Sequence, residues 1–190
     1  QLLREQRRVY GYRFKGYWGY TRTIEEYWQT SMDLLGPEPA IPLAEWGIRT
    51  NLENRNIRDC QPMTIGPDAR VSDSLIYNGC IVEGTVERSI LFPGVHVRPG
   101  AQVRDSVLFF DNIVGRDCRL HRLVSDVNNT YAAGIAVGGP EETAISVVGW
   151  GNHLPDGVRI PAGTVVPPEM RREQILAMLA TATPGGCDHV

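Results

Sequence analysis

The chain has 190 residues, enough for one sizeable domain or a domain with an appendage, and its net charge of −3 gives no general attraction to nucleic acid or to an anionic membrane. No apolar run approaches the roughly 18 residues of a membrane-spanning helix, and no signal peptide is recognisable at the start. The cysteines at positions 60, 80, 118 and 187 lack CxxC or zinc-like spacing, which predicts reduced, small apolar side chains in a cytoplasmic protein.

The first part of the chain predicts one strand followed by one helix. Residues 9–14 alternate as a strand does, and Thr23 with Glu26 forms a capping box that starts a helix. Gly36 and Pro37 are typical of a helix end. One apolar face of this helix is predicted to contain Ile24, Tyr27, Trp28, Ser31 and Leu35.

A single strand and a single helix cannot form a core. We therefore interpret residues 1–36 as the C-terminal end of a preceding domain. The Pro-rich, polar residues 37–56 are typical of a connector.

A repeat begins after the connector. Four similar stretches start at Val71, Val86, Val103 and Leu120, so the spacings are 15, 17 and 17 residues. Aliphatic residues recur about every six positions, which indicates a parallel β-helix of hexapeptides, three to each triangular coil. Inward side chains then stack in three columns: Val71/Val86/Val103/Leu120, Ile76/Leu91/Leu108 and Val82/Val97/Val114.

The β-helix is predicted to span residues 57–168. Val148, Leu154, Ile160 and Val166 continue the six-residue period, whereas residues 128–143 are predicted to leave the coil as a loop. An antiparallel sandwich with regular turns is the alternative, and four units in phase count against it. Residues 169–190 predict a short helix, suited to cap the open coil, and a tail.

The order of these elements resembles the C-terminal half of the glucose-1-phosphate adenylyltransferase (ADP-glucose pyrophosphorylase) family. The fold that this resemblance implies is mainly β: a left-handed parallel β-helix with an N-terminal strand-helix remnant of an α/β nucleotidyltransferase domain. The similarity covers roughly residues 8–172 and is carried by Gly16-Tyr-Trp18, Thr23-Ile-Glu-Glu-Tyr-Trp28, Met32-Asp-Leu-Leu35, Asn78-Gly-Cys-Ile-Val-Glu-Gly84, Ser89-Ile-Leu-Phe-Pro-Gly-Val95 and Val114-Gly-Arg-Asp-Cys-Arg-Leu120.

The resemblance implies a parent enzyme that converts ATP and glucose 1-phosphate into ADP-glucose and pyrophosphate with Mg²⁺, in glycogen or starch synthesis. The Mg²⁺ and most catalytic residues belong to an N-terminal domain that this chain lacks, so no catalytic or metal-binding residue is assigned here. The β-helix is expected to join the same or paralogous subunits into tetramers and to help form a sugar-phosphate effector site. Neither nucleic acid nor membrane is expected as a partner.

The resemblance also suggests individual site residues. Trp18 is placed nearest the sugar-phosphate site, with hydrophobic packing as the alternative role. Tyr20 stands where the family has an Asp that helps hold Mg²⁺, and a phenol is a poor Mg²⁺ ligand. This departure raises the hypothesis of a non-catalytic regulatory paralogue, unless another carboxylate compensates.

The effector phosphate is assigned to Arg119, Arg122 and Arg172, because guanidinium forks suit phosphate oxygens. Arg172 matches an Arg of some bacterial relatives, whereas a second family Arg falls at Val127 and is missing. Solvated surface charges are the alternative reading of these three arginines.

Two rival functions remain open from the sequence. Hexapeptide acyltransferases use a His as general base, and the candidates here are His96, His121 and His153. Nothing beside them in the sequence suggests an orienting carboxylate. A pure assembly module, which pairs with the same or a related chain, is the other rival.

Overall fold

The computed structural model describes residues 4–5, 8–47 and 61–182. These residues form a helix α1 (Ile24–Met32), eighteen short strands and a final helix α2 (Arg172–Ala182). The strands are β1 (Thr64–Ile65), β2 (Arg70–Ser72), β3 (Leu75–Ile76), β4 (Ile81–Val82), β5 (Thr85–Glu87), β6 (Ile90–Leu91), β7 (His96–Val97), β8 (Gln102–Arg104), β9 (Val107–Leu108), β10 (Ile113–Val114), β11 (Arg119–His121), β12 (Leu123–Ser125), β13 (Thr130–Tyr131), β14 (Ala136–Val137), β15 (Ser146–Val148), β16 (His153–Leu154), β17 (Arg159–Ile160) and β18 (Val165–Val166). The predictions for residues 48–60 and for the tail 183–190, with Cys60 and Cys187, lie outside the described residues.

The strands form three six-stranded sheets, and each coil contributes one strand to each sheet. The first sheet takes every third strand from β1 to β16, the second from β2 to β17 and the third from β3 to β18. Neighbours are parallel and in register at the repeat spacing, as where Val86 pairs with Val103 and Val103 pairs with Leu120. The predicted parallel β-helix is confirmed, and the antiparallel sandwich is wrong.

The interior is a stack of inward side chains, and all three predicted columns are in register. Eight of the ten members are fully buried; the exceptions lie in the first coil, where Val71 is 37% exposed and Ile76 is partly buried. Burying one Val, Leu or Ile contributes roughly 1.5–3 kcal/mol, and each coil depends on its neighbours for that burial. The columns continue with Val137 and Ile160 in the second sheet, Ser125, Val148 and Val166 in the third, and Tyr131 and Leu154 in the first.

The predicted loop at residues 128–143 is wrong over most of its length. Strands β13 and β14 lie in that range and continue the first and second sheets. The longest stretch of the β-helix without a strand is residues 138–145, between β14 and β15. The six-residue period of aliphatic residues is interrupted here, because the inward positions are polar or aromatic. Ser125, Asn129 and Tyr131 are fully buried.

These buried polar groups satisfy one another. The Tyr131 hydroxyl donates to Ser125 Oγ at 2.7 Å, and Ser125 Oγ donates to Asn112 Oδ1 at 2.9 Å. Asn129 Nδ2 donates to the carbonyl of Asp126 at 2.9 Å. Burial raises the pKa of Tyr131, which keeps its hydroxyl protonated as a donor. Buried polar atoms are tolerated when they are paired in this way.

The predicted strand at residues 9–14 is wrong. No described segment pairs with these residues, and Tyr10 and Tyr12 are 84% and 90% exposed. An alternating sequence forms a strand only when a neighbouring strand takes up its backbone hydrogen bonds, and none of the described residues does so.

Helix α1 is confirmed together with its capping box. Thr23 Oγ1 accepts from the Glu26 amide at 3.2 Å, and the Glu26 carboxylate accepts from the Thr23 amide at 3.2 Å. The helix ends at Met32, before the predicted Gly36. Its apolar face covers the outer face of the third sheet and forms a second buried cluster that contains Trp28, Met32, Leu35, Ile90, Val107, Val124 and Ile145.

Helix α2 covers the last coil, as predicted for a cap. Ile175 is fully buried in the main core, and Met170, Met178 and Leu179 pack against it. Leu176, next to Ile175 in the same helix, is 41% exposed. Neither described helix is long and apolar enough to cross a membrane.

The 15-residue spacing of the first unit comes from a shortened corner. Between the first and second sheets, three positions separate Val82 from Thr85, whereas five separate their partners Val97 and Gln102. The shortened corner contains Gly84, whose backbone lies close to the next coil. A Cβ on Gly84 would run into the carbonyl oxygen of Ala101 and lie 2.9 Å from that of Arg98.

Gly84→Ala is therefore expected to lower the free energy of unfolding by about 1–3 kcal/mol, because backbone atoms must shift to make room. Gly66→Ala is the matched control at the corresponding corner one coil earlier, where the nearest atoms lie 3.4 Å from the added Cβ. The midpoint of guanidinium chloride unfolding measures both variants. Equal midpoints for the two would contradict this account of the corner.

Candidate functional site at the contact between α1 and the β-helix

The corner between the second and third sheets carries a row of charged residues in the left-handed conformation. Asp73, Arg88, Asp105 and Arg122 have φ angles of 45°, 45°, 48° and 49°. The charges alternate from coil to coil, and Arg88 Nε binds Asp105 Oδ1 at 2.9 Å. His121 Nε2 lies 3.3 Å from the other oxygen of Asp105.

Trp28 of α1 binds at this corner. Its Nε1 donates to the backbone carbonyl of Asp105 at 2.6 Å, and its ring lies 4.0 Å from the guanidinium carbon of Arg122. A guanidinium over a tryptophan ring is a favourable cation–π contact. Arg122 Nε is buried and has no hydrogen-bond partner among the described residues. The same arginine thus holds α1 and retains an unused donor.

A cleft of about 610 Å³ lies between the α1 segment and the β-helix. Residues of both parts line it, and we call it the α1 cleft: Tyr17, Trp18, Gly19, Tyr20, Ile24, Glu25, Glu26, Trp28, Gln29, Thr30, Asp33, Arg122, Thr143, Ala144, Ile145, Val147, Gly163 and Val165. Aromatic and aliphatic walls with a few charged groups are usual in small-molecule sites.

The aromatic wall of the α1 cleft combines a fixed and an open ring. Tyr17 donates its hydroxyl to Asp33 Oδ2 at 2.8 Å, and burial together with this hydrogen bond raises the pKa of Tyr17. Trp18 is 76% exposed, so its ring is free to contact a ligand.

The structure brings two of the four predicted site residues together. Trp18 and Arg122 both line the α1 cleft, whereas Arg119 and Arg172 do not. Arg119 is exposed in the second sheet, and Arg172 is exposed at the start of α2. The three arginines therefore do not share this cleft as one phosphate cluster. The sequence spacing of Arg119 and Arg122 could not reveal this separation, because a strand position and a corner position of one coil face in different directions.

Tyr20 lines the α1 cleft, and its backbone and ring both have partners. Its carbonyl accepts from Thr30 Oγ1 at 2.9 Å, and the Arg22 guanidinium carbon lies 4.9 Å from its ring centre. In the described part of the chain, no three His, Cys, Asp or Glu side chains come together as metal ligands. These residues do not fit a Mg²⁺ ion, so we assign no step to one here.

Two of the histidines have carboxylate partners that the sequence did not suggest. His96 Nε2 lies 2.9 Å from Glu83 Oε2, and His121 Nε2 lies 3.3 Å from Asp105 Oδ2. Each partner comes from the preceding coil, so the repeat length was the signal that could have found it. His153 is exposed.

Comparison with known proteins gives one match to the β-helix and other matches to nearly the whole chain. Residues 63–146 match the family model described as GlmU-like, C-terminal hexapeptide, which covers the repeats alone. A glucose-1-phosphate adenylyltransferase from Acetivibrio thermocellus is 32% identical over 187 residues, 91% of this chain, and thus includes α1 and its cleft. The chain belongs to the glucose-1-phosphate adenylyltransferase family, as its C-terminal part.

Other members of the family give the same result. The glucose-1-phosphate adenylyltransferase of Geobacillus stearothermophilus is 45% identical over 103 residues, which are 54% of this chain and 26% of that protein. The one from Desulfitobacterium hafniense strain DCB-2 is 33% identical over 168 residues, 86% of this chain. The chain spans 42% of the length of the Acetivibrio and Desulfitobacterium relatives.

Proposed function

We propose that this chain is the oligomerisation and allosteric part of a glucose-1-phosphate adenylyltransferase, which makes ADP-glucose and pyrophosphate for glycogen synthesis. The observation that carries the proposal is the similarity over 91% of the chain, which includes the docked α1 segment as well as the β-helix. Hexapeptide β-helices occur in other enzyme classes, so the repeats alone would carry less weight.

The two parts of the molecule suit two tasks. The β-helix is a rigid prism suited to pairing with the same or a paralogous subunit in a tetramer. The α1 cleft lies where a ligand would contact α1 and the β-helix together, and the Arg122 side chain is part of its lining. A sugar-phosphate effector that binds Arg122 would therefore alter how α1 docks, and with it the part of the enzyme that α1 joins. Trp18 is proposed to lie toward the sugar-phosphate substrate, and Mg²⁺ to bind elsewhere in the enzyme.

A second candidate is a non-catalytic regulatory subunit, which the side chain of Tyr20 favours. A family Asp at this position would help to hold Mg²⁺, whereas the Tyr20 ring instead lies beside Arg22, 4.9 Å from its guanidinium carbon. A regulatory subunit could keep the cleft while losing the metal ligand.

A cytoplasmic setting is part of the proposal. Cys118 is a buried thiol without a disulfide, and burial raises its pKa, which makes it less reactive. An unreactive thiol of this kind fits a reducing compartment.

The test is pyrophosphate release by the protein that carries this chain, with ATP, glucose 1-phosphate and Mg²⁺, with and without fructose 1,6-bisphosphate. Turnover that responds to the effector would support the enzyme. No turnover alone, but a rate in a mixture with an active family member that exceeds the rate of that member by itself, would support the regulatory subunit. No turnover alone and no such increase in the mixture would overturn both candidates.

Arg122→Gln then tests the cleft. We expect the half-activating effector concentration to rise about tenfold, since a hydrogen bond to a charged group contributes roughly 1.5–3 kcal/mol. Arg88→Gln is the matched control, because Arg88 has the same left-handed corner conformation and does not line the cleft. An equal response of both variants would contradict the role of Arg122.

A further inference from the structure

A second cavity lies on the outer face of the second sheet, with a volume of about 310 Å³. We call it the basic groove, and it shares no lining residue with the α1 cleft. Its wall contains four basic side chains, Arg104, Arg119, His121 and Arg159, and no acidic one. The loop residues Gly139 and Pro140 close one side.

The groove exists because small residues interrupt two outward columns of this sheet. In one column Arg119, Ala136 and Arg159 follow one another on neighbouring strands. Ala136 leaves open space between the two arginines, whose strands are about 9.6 Å apart at twice the usual strand spacing. In the next column Gly138 follows His121, and a Cβ there would lie 2.9 Å from the His121 carbonyl oxygen.

Only some of the basic side chains around the groove form ion pairs. Arg104 Nε is paired with Glu87 at 3.2 Å, and His121 Nε2 with Asp105 at 3.3 Å. Arg119 and Arg159 are exposed, and no ion pair joins either of them to the described residues. His121 Nδ1 is buried and without a hydrogen-bond partner there. Arg119 and Arg159 are thus the two arginines of the groove that form no ion pair with the described residues.

We propose that the basic groove binds a small phosphate-bearing anion between Arg119 and Arg159. Two guanidinium forks on either side of a gap match the several oxygens of a phosphate, which accept bidentate hydrogen bonds. The enclosed volume suits a phosphate monoester or pyrophosphate. A nucleic-acid backbone would need an extended basic surface, and the chain has a net charge of −3.

This site differs from the α1 cleft in residues and in location. The two sites are adjacent along the chain at one point, where His121 of the groove directly precedes Arg122 of the cleft. Binding in the groove is measured without turnover, so its result is independent of the adenylyltransferase proposal. A positive result together with an inactive parent would leave the groove in place and remove the proposed function.

The experiment is a calorimetric titration of the whole chain with pyrophosphate at constant ionic strength. Arg119→Gln and Arg159→Gln should each raise the dissociation constant about tenfold, the loss expected for a charge-assisted contact. Arg70→Gln is the matched control, because Arg70 is exposed in the same outward column, three strands from Arg119 and outside the groove. We expect it to change the constant less than about twofold, the weak effect of a distant exposed charge.

A second readout locates the anion. The ring signals of His121 should shift in the NMR spectrum on titration, and Arg119→Gln should need about tenfold more pyrophosphate for the same shift. Equal weakening by Arg70→Gln would mean attraction to general surface charge. Weakening by Arg122→Gln but not by Arg119→Gln would place the anion in the α1 cleft. Either outcome, or no binding at all, overturns the proposal.

Discussion

Replacing Leu108 by Ala is expected to lower the free energy of unfolding by about 2–5 kcal/mol. Leu108 is fully buried in the third-sheet column, between Leu91 and Ser125 of the neighbouring coils. Its loss removes transfer free energy and leaves a cavity that parallel strands in fixed register cannot close. The midpoint of guanidinium chloride unfolding, at unchanged slope, measures the effect.

Ile81→Ala is the control for this prediction. Ile81 is also an aliphatic residue on a β-helix strand, but it is 40% exposed on the outer face of the first sheet. Its cost should stay below about 1 kcal/mol, the range of a strand propensity change. If Ile81→Ala costs as much as Leu108→Ala, the inward columns are not the main source of stability.

Trp28→Ala is expected to detach α1 from the β-helix, at a cost of about 3–5 kcal/mol to the docked state. Trp28 is 6% exposed, and it makes both the hydrogen bond to Asp105 and the ring contact with Arg122. A nine-residue helix is unstable in isolation, so undocking should also unfold it. Hydrogen exchange of the α1 amides should rise, while the amides of the β-helix keep their protection.

Two further variants sharpen this result. Trp28→Phe keeps a ring for Arg122 but leaves the Asp105 carbonyl without its donor, so an intermediate loss of about 1–3 kcal/mol is expected. Trp46→Ala removes a tryptophan that is 53% exposed and should leave α1 protected. Unchanged protection of α1 in Trp28→Ala would contradict the docking role.

The prediction of the fold succeeded where the signal was periodic and local. The six-residue spacing of aliphatic residues placed Val86, Val103 and Leu120 in one column, and the capping box placed the start of α1. It failed at residues 128–143, where Tyr131 and Asn129 occupy inward positions. Their burial depends on hydrogen bonds with polar partners such as Ser125 and Asp126, which a search for aliphatic residues cannot detect.

The prediction of the site was weaker for a related reason. Arg119 and Arg122 are three residues apart in the sequence, yet one lines the basic groove and the other the α1 cleft. The left-handed backbone at Arg122 turns the chain between two sheets. Ala136 and Gly138 looked unremarkable in the sequence, and only stacking on the preceding coil makes them the floor of a groove.

The parallel β-helix and both helices were predictable from the sequence, because these depend on residue period and on contacts within one turn or one coil. The sequence motifs also pointed to the adenylyltransferase family. Only the folded structure shows that Trp28 binds the backbone of Asp105, 77 residues away, and that Arg159 lies two strands from Arg119. Contacts of that kind depend on how coils stack and on which face a helix covers, and no local pattern of residues encodes them.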